Sequence, residues 1–289
     1  MKDFNLFGVS KIVFQDKTDN GTRLHTLMQD LTRKEWTAAE PAMRIIGVLP
    51  SLTFAKHLML SFIFQSGFMA YGRPELYLVM EPLLYTHLTC DGKSGFILYR
   101  TSSVLFQLIF EHQVLAKLPS KALFPWYVDK SRKKIPKFNK GPKLDPEWVY
   151  LVKCVPRRDF YDTVVPQEQL QPLWFFIRQN MSSRHNRIIP QLERWIPGCG
   201  PRLIAKDVNI YSRFGDLSPR QILSTFRDFS GWPEYPACAF RASVEEAYLK
   251  MEPGSDDLDD VPAGRRDVDE AEDEDAADEM GADTDHKPS

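Results

Sequence analysis

The segment "MRIIGVLPSLTFAKHLML", residues 43–60, decides the fold. Its first part, Met43 to Leu49, is a nearly continuous apolar run carrying β-branched Ile45, Ile46 and Val48, the composition of a strand buried on both faces. Pro50 closes the run, and the stretch from Ser51 to about Gln65 has the spacing of a helix. A strand passing directly into a helix is the building unit of an α/β sheet.

Working outward, "ELYLVM" (Glu75 to Met80) predicts a second buried strand, followed by a short helix over Pro82 to Leu88 and a longer one over Ser102 to His112. The apolar stretch "HLMLSFIFQSGFMAYG", residues 57–72, is too short to span a bilayer and reads as buried helix. "HQVLAKL" and "EWVYLVKCV" are β-rich runs separated by a lysine-rich connection, which predicts an antiparallel hairpin with a long loop. From Pro166 the pattern is helical alone: "PQEQLQPLWFFIRQNM", "IIPQLERWI", and "SPRQILSTFRDF" with Ser218 as N-cap and Pro219 in the first turn. Trp174, Phe175 and Phe176 read as helical core.

The expected architecture is therefore α/β in residues 1–165, all-helical in 166–250, and a tail from 251 to 289. An open nucleotide-binding sheet normally begins with a strand and a glycine-rich turn, and nothing before Ile45 supplies one, since only Gly8 and Gly21 precede it. The expectation is the back half of such a sheet, with its cofactor-binding front half missing.

Charge is divided unevenly. Residues 253–289 hold fifteen acidic residues and three basic ones, so the tail is near −12; the remainder, with thirty-four basic and twenty-four acidic residues, is near +10. A body this basic fits a polyanionic partner or simple solubility. The tail has too few large apolar residues to order itself and is expected to be disordered, either as a solubilising appendage or as a nucleic-acid mimic competing for the basic body.

Cys90, Cys154, Cys199 and Cys238 are widely spaced, with neither a metal-binding pair nor a disulfide framework, and no HExxH, GxSxG or phosphate-loop motif is present. Metal and acyl-transfer chemistry are not expected. The first residues do not form a signal peptide or transit segment.

Five segments, in this order, carry a family resemblance: "MQDLTRKEWTAAEPAMRIIGVLPS", "SSVLFQLIFEHQVL", "WVYLVKCVPRRDFYDTVVP", "NMSSRHNRIIPQL" and "LSPRQILSTFRDF". Together they resemble the KsgA/Dim-type rRNA adenine dimethyltransferases and, within them, the second-paralogue branch of the mitochondrial B-type transcription factors. The resemblance implies the C-terminal part of a Rossmann-like methyltransferase sheet, a mitochondrial location, and S-adenosylmethionine as the family's cofactor. It also implies the mitochondrial promoter and RNA polymerase as partners, and small-subunit rRNA as the substrate of active members.

In active members the strand ends in Asn-Leu-Pro-Tyr, whose amide and ring aim a flipped adenine at the methyl donor. The matching residues here are Val48, Leu49, Pro50 and Ser51, which have lost both the amide and the ring. Methyl transfer is therefore expected to be weak or absent, while Asp3 matches the residue that meets the cofactor's adenine.

The expected function is nucleic-acid binding in mitochondrial transcription initiation. The alternative is an rRNA adenine N6,N6-dimethyltransferase. Candidate nucleic-acid residues are Lys130, Arg132, Lys133, Lys134 and Lys137 in the basic loop, Arg157 and Arg158 after the last strand, and Ser183, Arg184 and Arg187 where the resembling proteins contact DNA. For each group the competing reading is an ordinary solvated surface.

Overall fold

A computed structural model describes residue 16 and residues 20–93, 98–123, 147–161 and 165–250. The segment that decides the fold forms strand β1, Met43–Val48, and a helix, Leu52–Ile63, in which the Ser51 hydroxyl accepts from the Phe54 amide at 3.4 Å. With the earlier helix α1 (Arg23–Met28), this helix is α2. Strand β2, Pro74–Met80, returns parallel to β1 with Ile45 opposite Leu76 and Val48 opposite Val79. Helices α3 (Pro82–Thr89) and α4 (Thr101–Ile109) follow, and then strands β3 (Phe110–Pro119) and β4 (Trp148–Pro156). β4 inserts between β2 and β3, antiparallel to both, giving a four-stranded mixed sheet in the order β1-β2-β4-β3. The expected hairpin is present, and a β-bulge between Val114 and Ala116 shifts its register.

Three sequence expectations need correction. The apolar run at 57–72 is not one helix: α2 stops at Ile63, and Gln65 and Gly67 take positive φ, 46° and 59°, which turns the chain into a short 3₁₀ segment at Gly67–Tyr71. The helix expected to reach His112 ends at Ile109, and the following residues join β3. Arg157 explains the stop. Its amide donates to the Ile109 carbonyl at 2.8 Å, and its guanidinium donates to the carbonyls of Leu108 (3.1 Å) and Gln107 (3.4 Å), satisfying the orphan acceptors of the last turn. Finally, β1 is not buried on both faces. Met43, Ile45 and Gly47 face cover while Arg44, Ile46 and Val48 face solvent, Ile46 at 74% exposure and Val48 at 56%.

Beyond the sheet, α5 (Leu170–Asn180), α6 (Ile188–Glu193), α7 (Gly200–Ile204), α8 (Pro219–Ser230) and α9 (Ala239–Lys250) form the helical part. α8 begins as read from sequence: Gln221 N–H donates to the Ser218 hydroxyl while the Gln221 side chain accepts from the Ser218 amide at 2.9 Å, a capping box with Pro219 in the first turn. Phe176 is fully buried, its ring 5.3 to 6.1 Å from those of Trp195, Phe214, Phe226, Phe229 and Phe240. Edge-to-face and tilted pairs at these separations each add about 0.5–1.5 kcal/mol beyond burial.

The described residues fall within one compact unit. The boundary expected at 165/166 is a change of secondary structure within that unit: the Tyr99 hydroxyl donates to the Leu217 carbonyl at 2.7 Å, and Gln167 bonds the Gln65 side chain at 2.7 Å. Any side chain at Gly92 would place its Cβ 2.3 Å from the Gly215 carbonyl oxygen, so glycine is required where these backbones meet. The acidic tail lies outside the described residues. No helix among the described residues is long and apolar enough to cross a membrane.

Candidate functional site

The carboxyl ends of parallel strands are where an α/β sheet presents its ligands. Beyond Val48, Leu49 is buried, its amide bonded to the Val79 carbonyl at 2.8 Å, so this residue continues the sheet and offers nothing to a ligand. Pro50, Ser51 and Leu52 then form one side of a cleft of about 280 Å³, faced by Leu83, Leu84 and His87 of α3. Glu81 and Leu98 complete it. The Ser51 hydroxyl serves as the cap of α2. The His87 ring is bonded through Nε2 to the buried Ser102 hydroxyl at 2.9 Å. Burial, assisted by the nearby positive charges of Lys56 and Arg100, pushes its pKa down to about 4. His87 is thus neutral at physiological pH and a weak base there. Most of the lining is aliphatic; its polar side chains are Ser51, Glu81 and His87, and among the described residues it has neither a side-chain amide nor a tyrosine ring to orient a purine.

S-adenosylmethionine demands a glycine-rich turn that lets backbone amides close on the ligand. The described parallel strands end in Val48-Leu49-Pro50 and Met80-Glu81-Pro82, and no such turn lies at either end. The described residues therefore do not supply the family's cofactor cradle. Asp3 lies outside the described residues. Among the described residues no cluster of three or more His, Cys, Asp or Glu is arranged to hold a metal ion.

The basic candidates separate into distinct groups. Lys130, Arg132, Lys133, Lys134 and Lys137 lie outside the described residues. Arg157 is the cap of α4, and its guanidinium also pairs with Glu111 at 3.3 Å. Arg158 is exposed and its Nε donates to the Thr37 carbonyl.

The remaining candidates lie on a short two-stranded ribbon. Ile188 N–H donates to Ser212 O, Phe214 N–H to Asn186 O and Gly215 N–H to Arg184 O, at 3.0, 3.0 and 3.2 Å, with Arg187 paired to Arg213 as an antiparallel bridge. Arg184, Ile188 and Phe214 are buried, whereas His185, Arg187, Tyr211 and Arg213 are exposed. Arg184 is only 9% exposed. This corrects its expected surface position: Arg184 is buried where the turn at 183–186 meets Gly215, whereas Arg187 is exposed. Ser183 is half-buried at the ribbon's start.

The sequence alone does not single out His185, Tyr211 and Arg213. The Arg187 guanidinium lies 5.5 Å from the Tyr211 ring centre, and Arg213 donates to His185 Nδ1 at 3.2 Å. The alternating "RHNRI" and "YSRFG" carry the signal, but only once the two are known to pair.

No family model matches the chain. A curated relative, dimethyladenosine transferase 2, mitochondrial, of Drosophila melanogaster, is 40% identical over 283 residues, covering 86% of this chain. The chain spans 62% of that relative's length. A solved structure of a dimethyladenosine transferase from Plasmodium falciparum covers 72% of this chain and 94% of its own at 8% identity and a TM-score of 0.37, too distant to support an argument. Identity of 40% sustained over 86% of this chain makes it similar to that dimethyladenosine transferase over 62% of the relative's length.

Proposed function

We propose that the chain is a nucleic-acid-binding protein of mitochondrial transcription initiation, built on a dimethyltransferase scaffold whose base-positioning groups are gone. The mitochondrial location comes with the 40% identical relative. The observation supporting the reading is the state of the strand end: Val48 is an exposed aliphatic, Leu49 is core, and the Ser51 hydroxyl is occupied as a helix cap. An adenine entering there meets neither the hydrogen-bonding amide nor the stacking ring that methyl transfer requires.

A function that survives this loss uses the basic exterior. Promoter opening needs positive charge along a phosphate backbone and a place to hold a separated strand. The partners would be mitochondrial promoter DNA and the mitochondrial RNA polymerase.

The test pairs two assays on the whole chain. Run-off transcription from a mitochondrial promoter by the mitochondrial RNA polymerase should rise when the chain is added. Methyl incorporation from labelled S-adenosylmethionine into a small-subunit rRNA hairpin should stay at background. Dimethyladenosine formation without stimulated transcription would establish the rRNA methyltransferase reading instead.

A further inference from the structure

We infer that the free edge of β1 pairs with β1 of a second copy of this chain, antiparallel about a two-fold axis through Ile46, so that the two sheets join into one. The inference stands apart from the nucleic-acid reading and does not depend on it.

Three observations carry it. The first is the contrast between the two edges of the sheet. β3 has the features that keep an edge strand from pairing: a bulge between Val114 and Ala116, exposed Glu111 and Lys117, and Pro119 at its end. β1 has none of them. Its one charged residue, Arg44, is neutralised within the chain by Glu75 at 2.8 Å, and Ile46 and Val48 are 74% and 56% exposed. Among the described residues β1 has a neighbouring strand on one side only, and none of its six residues is buried.

The second is the direction of the free backbone groups. The Leu49 amide donates to the Val79 carbonyl, with Val48 opposite Val79 in the parallel register. Ile45 and Gly47 therefore also turn their amides and carbonyls to β2, and Arg44, Ile46 and Val48 turn theirs to the open edge. An antiparallel neighbour takes such groups in matched pairs, and Ile46 facing its own copy would exchange both bonds with it.

The third is self-complementarity. An axis at Ile46 sets Arg44 opposite Val48 of the second copy, so no like charges face each other, and the isoleucines and valines of both copies gather into one apolar cluster. An axis at Arg44 would oppose two guanidiniums. One at Val48 would bring Ile46 against Pro50, which has no amide to donate. An unrelated strand would satisfy the same backbone groups without using this symmetry, and the sequence of the edge therefore selects a second copy.

A pair of six-residue strands buries less than a standard interface, so the association is expected to be reversible and of micromolar order. Sedimentation equilibrium of the whole chain from about 1 to 200 µM reads it. The mass should rise from that of one chain toward that of two and stop there, as a closed two-fold pair requires. Ile46→Lys sets like charges against each other at the axis, and Val48→Lys sets one against Arg44 of the second copy; each should weaken association by about tenfold. Leu115→Lys, on the opposite edge, should leave it unchanged. All three positions are exposed, and an unchanged melting temperature would verify folding. The register has its own readout, since the chain's four cysteines are buried. With oxidised glutathione, Ile46→Cys should give a disulfide-linked dimer, because facing Cα atoms lie about 5.5 Å apart. Arg44→Cys should not, its two copies being roughly 13 Å apart along the paired strands.

The mass of one chain at every concentration would overturn the inference and leave the edge to a strand of another protein. Growth past two chains into open aggregates would overturn it too, as would a dimer that Ile46→Lys and Val48→Lys leave intact. Cross-linking of Arg44→Cys as fast as that of Ile46→Cys would overturn the axis at Ile46.

Discussion

The cleft at the ends of β1 and β2 and the ribbon of the helical part are both built from extended backbone, yet they dispose of their polar groups in opposite ways. In the cleft, the Ser51 hydroxyl caps a helix, His87 is bonded to a buried serine and held neutral, and the remaining lining is mostly aliphatic. On the ribbon, one arginine is drawn inside, but two more, a histidine and a tyrosine turn to water. A polar atom whose bonding capacity is met within the protein has little left for a ligand. The polar groups named in the cleft are engaged within the protein, whereas in the helical part charged and aromatic side chains face solvent.

The largest expected effect breaks the support of the ribbon. Phe176→Ala opens a cavity beneath Phe214 at the centre of the aromatic cluster and should cost about 3–5 kcal/mol. Chemical unfolding would measure the loss, and nucleic-acid affinity should fall with it, whereas a variant confined to the cleft should leave affinity intact.

Acid should act next, and on the cleft. His87 has a folded-state pKa of about 4, below its ordinary value of 6.5, so protons favour the unfolded chain. Its contribution is complete above about pH 6.5 and disappears as pH falls toward about 4, a loss of about 2–3 kcal/mol once partial solvent access is considered. Comparing the unaltered chain with His87→Gln by unfolding across that window isolates the effect, because the variant should lack this part of the slope.

Two cap substitutions give smaller effects and sharpen the contrast. Ser218→Ala removes the capping box of α8 and should lower stability by about 1 kcal/mol. Ser51→Ala removes a single cap bond, without the reciprocal side-chain bond of a capping box, at the end of β1 and should cost about 0.5 kcal/mol, with no change in nucleic-acid affinity. A large affinity loss in Ser51→Ala would mean that the cleft retains a role in binding.

Much of this was legible locally. The period of apolar residues located β1, β2, α2 and α5, and Ser218 with Pro219 announced α8 because a cap is a short-range device. What escaped depended on distant partners. The end of α4 at Ile109 is enforced by Arg157, which lies beyond two strands and the loop between them. Whether Arg184 or Arg187 faces solvent is undecidable from "SSRHNRI" alone, since that depends on pairing with residues 212–215. Helices α7 and α9 were missed although Phe240 and Val244, spaced i and i+4, mark the buried side of α9.

The solvent-facing isoleucine and valine of β1 bear on how the protein behaves at the bench. Contacts made through such aliphatic groups tighten as sulfate is added, because excluded salts favour hiding hydrocarbon. Contacts made through arginine and phosphate loosen as ions are added. The sign of the response to ionic strength would therefore tell which surface a given association uses.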